Sequence, residues 1–332
     1  MARLLSFLLA LGSLAAAGSS ASADWSADRL ALPAPVTDVR QAGDTVYIKA
    51  DSWFQVSICD GREICLMPGE PPAIARPSDG IPDGTIAAAS RLDIVHAWYS
   101  EPTDRYGHGI LGDRVEAGAL VAVDAAGRRY TMSLGPGFVF EDLAPRIVDL
   151  DEDGTAEIVT IRTDINAGAA IAIYGIREGI LAEIAATEPI GMPNRWLNIA
   201  GIADLIGDGR LDIALVKTPH IGGRLEVWTF RSGSLTRLAS AEGFSNHIIG
   251  STELHLSAIA DADGDGVLDL ALPNAGRTAL RIVSVLGGAI RNIAAPTIEG
   301  RITTGIGVLG PPGRPIFLVG LEDGRAIAIS WN

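Results

Sequence analysis

Lysine is nearly missing from this chain. Of 26 basic side chains only Lys49 and Lys217 are lysines, and they face 40 acidic ones. The scarcity of positive charge leaves a formal net charge of −14, or −15 once Arg3 is removed with the leader described below. An acidic surface repels nucleic acid and anionic membranes, which argues against both as partners. The preference for arginine over lysine reads as compositional bias and carries no mechanism. Catalytic signatures are also missing. There is no G-x-S-x-G elbow, no H-E-x-x-H pair, no phosphate-binding G-x-x-x-x-G-K-S/T loop and no dinucleotide fingerprint. Long apolar runs are confined to the first residues, so no later segment reaches a transmembrane length and no membrane insertion is expected.

Cysteine is scarce, with only Cys59 and Cys65 flanking "DGRE" between two apolar runs. A short hairpin brings such a pair within bonding reach, and an exported chain meets an oxidising compartment. A structural disulfide is therefore expected. Export is expected from the first 23 residues: Arg3, the apolar run Leu4–Leu14, and small residues ending in Ala21-Ser22-Ala23. This is the form of a secretory leader cut after Ala23, with an apolar core too short for a permanent membrane helix. The mature chain, 24–332, is read as one periplasmic or secreted domain.

What the sequence has in abundance is repetition. "IVDLDEDGTAEIVTI" (147–161), "IADLIGDGRLDIALV" (202–216) and "IADADGDGVLDLALP" (259–273) align, with their ninth loop positions at Glu157, Asp212 and Asp269, 55 and 57 residues apart. Two further short apolar runs follow each: "AAIAIYGI" and "LAEIAAT", "RLEVWTF" and "LTRLASA", "ALRIVSV" and "IRNIAAP". Four short strands per repeat at this period predict an all-β fold, a β-propeller of four-stranded blades. Weaker copies at 36–50, 85–99 and 305–319 give six units, anchored at Val46, Asp93, Glu157, Asp212, Asp269 and Pro315; the degenerate N-terminal third leaves seven open. The last unit stops after three strands, at "RAIAISW", so an N-terminal strand, "RLALPAP" (29–35), is expected to complete it and close the ring.

The loops themselves carry the strongest chemistry. D-x-D-x-D-G places side-chain oxygens on alternate residues of a curled turn, and calcium takes six to eight oxygen ligands. The first loop offers Asp149, Asp151, Asp153, the carbonyl of Thr155, and Glu157. The third offers Asp261, Asp263, Asp265, the carbonyl of Val267, and Asp269. The second offers Asp204, Asp208, the carbonyl of Arg210 and Asp212, with Ile206 in place of the middle carboxylate, and is expected to be impaired for want of that ligand. An EF-hand is excluded, because its twelfth-position glutamate is replaced by Thr160, Leu215 and Leu272 and its flanking helices by strands. The alternative is an acidic turn held by backbone N–H groups alone. If Ca²⁺ binds, its expected role is to pin a turn.

The segments "DLDEDGTAEIV", "DLIGDGRLDIAL" and "DADGDGVLDLAL" resemble the FG-GAP (VCBS-type) repeats of integrin-α-like β-propellers. The resemblance implies a calcium-dressed propeller used for adhesion or ligand binding, and names no ligand.

In such a blade the calcium loops define one face. The opposite face receives the loops joining second to third strands and the connections between blades. Three of the five histidines, His108, His220 and His247, fall there with Arg105, Tyr106, Asn194, Arg195, Trp196 and Asn246. Tyr106 and Trp196 are expected as flat platforms, Arg105 and Arg195 as forks for a carboxylate, and Arg195, Trp196 and His247 as the heart of a pocket. The blander reading makes these loop residues turn caps and inter-blade packing. The function expected is non-catalytic binding of a protein or glycan. A carbohydrate-active lyase or hydrolase gains weight if the three histidines converge, and a structural envelope scaffold is the third reading.

Overall fold

The computed structural model describes residues 25–61 and 63–331; the expected leader and its cut after Ala23 lie outside the described residues. The described residues are all-β, and the one helical element among them is a three-residue 3-10 turn at Leu286–Gly288. No helix among the described residues is long and apolar enough to cross a membrane.

Strands pair antiparallel in sequence order, which is what apolar runs separated by short polar turns favour. One four-stranded sheet joins Asp38–Ala42, Thr45–Lys49, Trp53–Ile58 and Ile64–Pro68. A second joins Leu197–Ala203, Asp212–Lys217, Arg224–Arg231 and Ser234–Glu242. A third joins Ala258–Ala260, Asp269–Pro273, Leu280–Ser284 and Arg291–Ala294. Burial is greatest on the second strand and least on the outermost in the third sheet: Asp269–Pro273 is buried throughout, whereas Arg291–Ala294 has no buried residue.

The fourth four-stranded sheet combines the two ends of the chain. Trp25–Leu30 pairs with Ala326–Trp331, in register from Trp25 opposite Trp331 to Leu30 opposite Ala326, beside Ile316–Gly320 and Gly307–Leu309. An N-terminal strand was expected to complete this unit at 29–35; it lies earlier. Pro33 and Pro35 have no N–H to give to a ladder, while Trp25 can stack on Phe317 with ring centroids 6.0 Å apart.

The remaining strands form one nine-stranded sheet. It contains two four-stranded groups: Ala87–Ala88, Ile94–Thr103, Glu116–Asp124 and Arg129–Ser133, then Arg146–Val148, Glu157–Asp164, Gly168–Arg177 and Ile180–Ala186. The short strand Phe138–Phe140 welds them, pairing with Ala117 on one side and with 162–164 on the other. Nothing in the repeat pattern announced this strand.

Neighbouring sheets meet through their first strands. Leu197–Ala203 touches Ala258–Ala260, which touches Gly307–Leu309, which touches Asp38–Ala42. These contacts are close. A Cβ on Gly201 would stand 2.3 Å from Ile259, and one on Gly307 2.5 Å from Val46, so the packing requires glycine at both. Cys59 and Cys65 are bonded, Cα–Cα 5.9 Å, across the hairpin in which Ile58 faces Ile64.

Candidate functional site

The three aspartate loops have the same skeleton. In each, a carboxylate oxygen of the first residue accepts the N–H of the sixth: Gly154 to Asp149 at 3.0 Å, Gly209 to Asp204 at 2.9 Å, Gly266 to Asp261 at 3.2 Å. Those glycines have φ of 86°, 84° and 88°, the left-handed conformation the curl demands. The ninth residue turns one oxygen back to the N–H of the second: Leu150 to Glu157 at 3.0 Å, Leu205 to Asp212 at 3.3 Å, Ala262 to Asp269 at 2.8 Å. Thr155, Arg210 and Val267, expected to lend carbonyls, sit in the same turns.

Backbone donors do not satisfy everything. Asp149 Oδ1, Asp151 Oδ1, Asp212 Oδ1 and Asp269 Oδ1 are buried without a hydrogen-bond partner. A buried carboxylate oxygen left bare is costly, so the purely hydrogen-bonded turn is an incomplete account. Oxygens of Asp149, Asp151 and Glu157 lie within 4.8 Å of one another, as do those of Asp261, Asp263 and Asp265. These all-oxygen sets fit a hard divalent cation. Burial first, then the charges of Asp263, Asp265 and Asp261, pushes Asp269 up to about 7, a penalty that a bound cation would remove.

The loops differ in what already neutralises them. In the second, Arg231 Nη2 lies 3.2 Å from Asp208 Oδ2 and 3.8 Å from Asp212 Oδ1. In the first, Arg177 Nη2 donates to Glu157 Oε1 at 2.8 Å. Both arginines end the third strand of their unit; in the third unit that strand ends at Ser284 and no basic residue follows until Arg291. Besides lacking a carboxylate at Ile206, the second loop has Arg231 beside two of its acids.

On the opposite face, four segments meet: the 104–115 and 218–223 loops between second and third strands, and the 191–196 and 243–257 connections between sheets. A shallow depression of about 250 Å³ is lined by His108, Ile110, Asn194, Arg195, Trp196, Thr218, His220, Ile221 and Ile249. The segments are tied to one another. Asn194 N donates to Tyr106 Oη (2.7 Å), Thr218 N to Trp196 O (2.9 Å) and Gly250 N to Ile110 O (2.9 Å). The floor is therefore preformed. Thr218, a β-branched residue at φ 50°, is held in a conformation it disfavours, as happens at functional sites.

Several side chains stand otherwise than expected. Trp196 is only 2% exposed, donates its indole N–H to Glu141 O at 2.8 Å, and forms the floor rather than an open platform. Tyr106 is buried as well, its phenol pushed up to about 12 by burial and by Glu141. Arg105 spends Nη2 on Phe138 O and offers no fork. Asn246 is buried in a reciprocal clamp, Asn198 Nδ2 to Asn246 O at 3.1 Å and Asn246 Nδ2 to Asn198 O at 3.3 Å. His247 lies beneath the lining. In each case the loop packs between sheets, where an aromatic or amide fills space and satisfies backbone groups.

The histidines converge in part. His220 Nε2 is 3.0 Å from His247 Nδ1, and His247 Nε2 is 2.8 Å from Ser251 O. A carbonyl only accepts, so His247 carries its proton on Nε2, its Nδ1 accepts, and His220 donates from Nε2. Burial lowers both to about 4, so both are neutral at pH 7. His108 sits apart from this pair, its Nδ1 hydrogen-bonded to Glu141 Oε1, whose other oxygen accepts from Thr163 Oγ1 at 2.7 Å. Among the described residues the three histidines do not form a metal-holding group. Sequence reasoning missed Glu141, Ile110, Thr218, Ile221 and Ile249. Only the acidic pair Glu141-Asp142 inside the apolar "GFVFEDLAP" gave any signal. Burial raises Glu141, and raises nearby Glu116 to about 9 with help from Glu141, Asp113 and Asp142, so Glu116 is a neutral acid at pH 7.

Residues 204–272 match the family model described as FG-GAP-like repeat, so the span from the first residue of the second loop to just beyond the third carries that repeat. No curated protein matches the chain. Solved structures similar to it include the rhamnogalacturonan lyase YesW, at 15% identity over 91% of this chain and 62% of that one, TM-score 0.45. Another is the exotype rhamnogalacturonan lyase YesX, at 14% identity over 86% and 70%, TM-score 0.39. The chain thus spans 62% of the length of the first of these. Similarity of this degree carries no conclusion about chemistry.

Proposed function

We propose that this protein is an exported, calcium-stabilised β-propeller of six blades that binds a protein or glycan, without catalysis, in the depression opposite its aspartate loops. Six four-stranded groups, first-strand contacts between sheets, and the pairing of the chain's two ends support a closed six-bladed ring. The Cys59–Cys65 bond supports a periplasmic or extracellular location. The bare carboxylate oxygens and the clustered acids support Ca²⁺ in the first and third loops, and among the described residues no arginine pairs with the acids of the third. The observation that carries the binding role is the depression itself, built from four segments of three strand groups and fixed by hydrogen bonds between them. Loops held rigidly on a sheet scaffold bind without paying to order themselves.

The test is retention of envelope proteins and acidic or neutral glycans on immobilised mature chain. Ile249→Glu, at the exposed rim, should abolish retention with an unchanged melting temperature; retention unaffected by this change would refute the assigned face. One observation favours the second reading, a carbohydrate-active enzyme: His108 at the pocket edge is oriented by the buried Glu141, the arrangement of a general base. Sugar-polymer cleavage lost in His108→Ala would establish it.

A further inference from the structure

The chemistry of the depression narrows what it can take, if the pocket reading above holds. Sugar-binding pockets use exposed aromatic faces, and here Trp196 and Tyr106 are both buried. The apolar side chains that are exposed there are aliphatic. Ile221 and Ile249 line the depression at 61% and 66% exposure, large apolar side chains that water solvates poorly. Beside them stands Arg195, half-buried. Its only side-chain hydrogen bond goes to its neighbour's carbonyl, Asn194 O, at 3.0 Å. Among the described residues no carboxylate pairs with it, on a chain carrying a net charge of −14. Among the described residues eleven other arginines hold an acid and ten do not, and Arg195 is the one arginine that lines the depression.

We infer that the depression binds an apolar carboxylate: a branched aliphatic group laid between Ile221 and Ile249, with its carboxylate forked by Arg195. The guanidinium supplies two parallel donors in the geometry a carboxylate accepts. The neutral His220, its proton committed to His247, contributes no competing charge and presents an uncharged wall. A polar acid would leave the isoleucines wet, and an apolar neutral molecule would leave Arg195 unmatched. Two sources offer this chemistry, a free branched-chain acid and the C-terminal residue of a peptide.

The experiment is titration calorimetry of the mature chain with four probes: 4-methylpentanoate, N-acetyl-leucine, N-acetyl-leucinamide and galacturonate. N-acetyl-leucine and 4-methylpentanoate should bind, the first more tightly if the natural source is a peptide end, the second if it is a free acid. The amide should bind about tenfold or more weakly, since it lacks the charge-assisted bond. Arg195→Gln should weaken both acids by a similar factor while leaving the amide unchanged, and Ile221→Asn/Ile249→Asn should weaken all three leucine-like probes. Both variants lie on an exposed rim, and unchanged melting temperatures would show that they fold. Galacturonate binding as tightly as the acids, dependent on Arg195 but not on the isoleucines, would overturn the apolar class and leave the pocket standing. Binding of none of the four would overturn this inference; if Ile249→Glu then also fails to alter partner retention, the pocket reading falls separately.

Discussion

The position of Arg231 predicts that it, together with the missing carboxylate at Ile206, keeps metal from the second aspartate loop. Its guanidinium stands 3.2–3.3 Å from Asp208 and 3.8 Å from Asp212, whose carboxylate is wholly buried. At those separations and an effective dielectric of about 20, each pair attracts by ~4–5 kcal/mol before desolvation. Asp208 is partly exposed, so its share is the more screened. Removing the arginine leaves Asp212 buried without a counter-charge, which costs roughly 3–5 kcal/mol. Ile206→Asp alone adds a fourth acid to a loop whose buried Asp212 already has a counter-charge in the cation position, and should add no calcium site. Arg231→Leu alone should lower the melting temperature in chelator and regain only part of it in calcium. Ile206→Asp/Arg231→Leu combines a complete oxygen set with a vacant cation position. At calcium a hundredfold above its dissociation constant, the double variant should gain about 2.7 kcal/mol over its chelated form. For a protein this size that is a rise of about 4 °C. Calorimetric site counts and melts in calcium and in chelator read both effects. A new tight site in Ile206→Asp alone would refute the role given to Arg231.

Two further outcomes follow from the geometry. Replacing Cys59 and Cys65 by serine releases a loop of only a few residues, so stability should fall by about 2 kcal/mol and not by the 4–5 expected for a long loop; a larger loss in urea unfolding would mean the bond holds more than its own hairpin. The His220–His247 pair should make stability depend on pH. Both are lowered from 6.5 to about 4, so above pH 6.5 both states are neutral and nothing changes. Between 6.5 and 4 the unfolded chain takes protons that the folded one refuses, and stability falls with pH, each histidine approaching about 1.4 kcal/mol per unit. His247→Gln should flatten that part of the profile relative to wild type; equal slopes would show that the pair does not carry it.

Much of the architecture was legible because a repeat states its own period. The loop skeletons at 149–157, 204–212 and 261–269 superimpose in their hydrogen bonds as they do in their letters, since backbone N–H groups and first- and ninth-position carboxylates act within a few residues of each other. The apolar runs after each loop became the third and fourth strands for the same local reason: alternation and turn residues fix strand and hairpin without distant help. The disulfide was equally local.

Other features were invisible because their partners lie far away in sequence. Arg231 meets Asp208 from 23 residues off, and only strand pairing brings it there. Phe138–Phe140 has no counterpart in the other repeats, yet it welds two groups and delivers Glu141 to His108, 33 residues distant. Trp196 and Tyr106 read as platforms because a loop aromatic is equally suited to open contact and to packing; burial chose the second. The sequence alone determined strand order, turn chemistry and the placing of acids, all set by neighbours along the chain. Tertiary structure alone decided which acids keep bare oxygens, which arginines are already spent, and which face of the pocket is aliphatic, because charge compensation and burial depend on proximity in space.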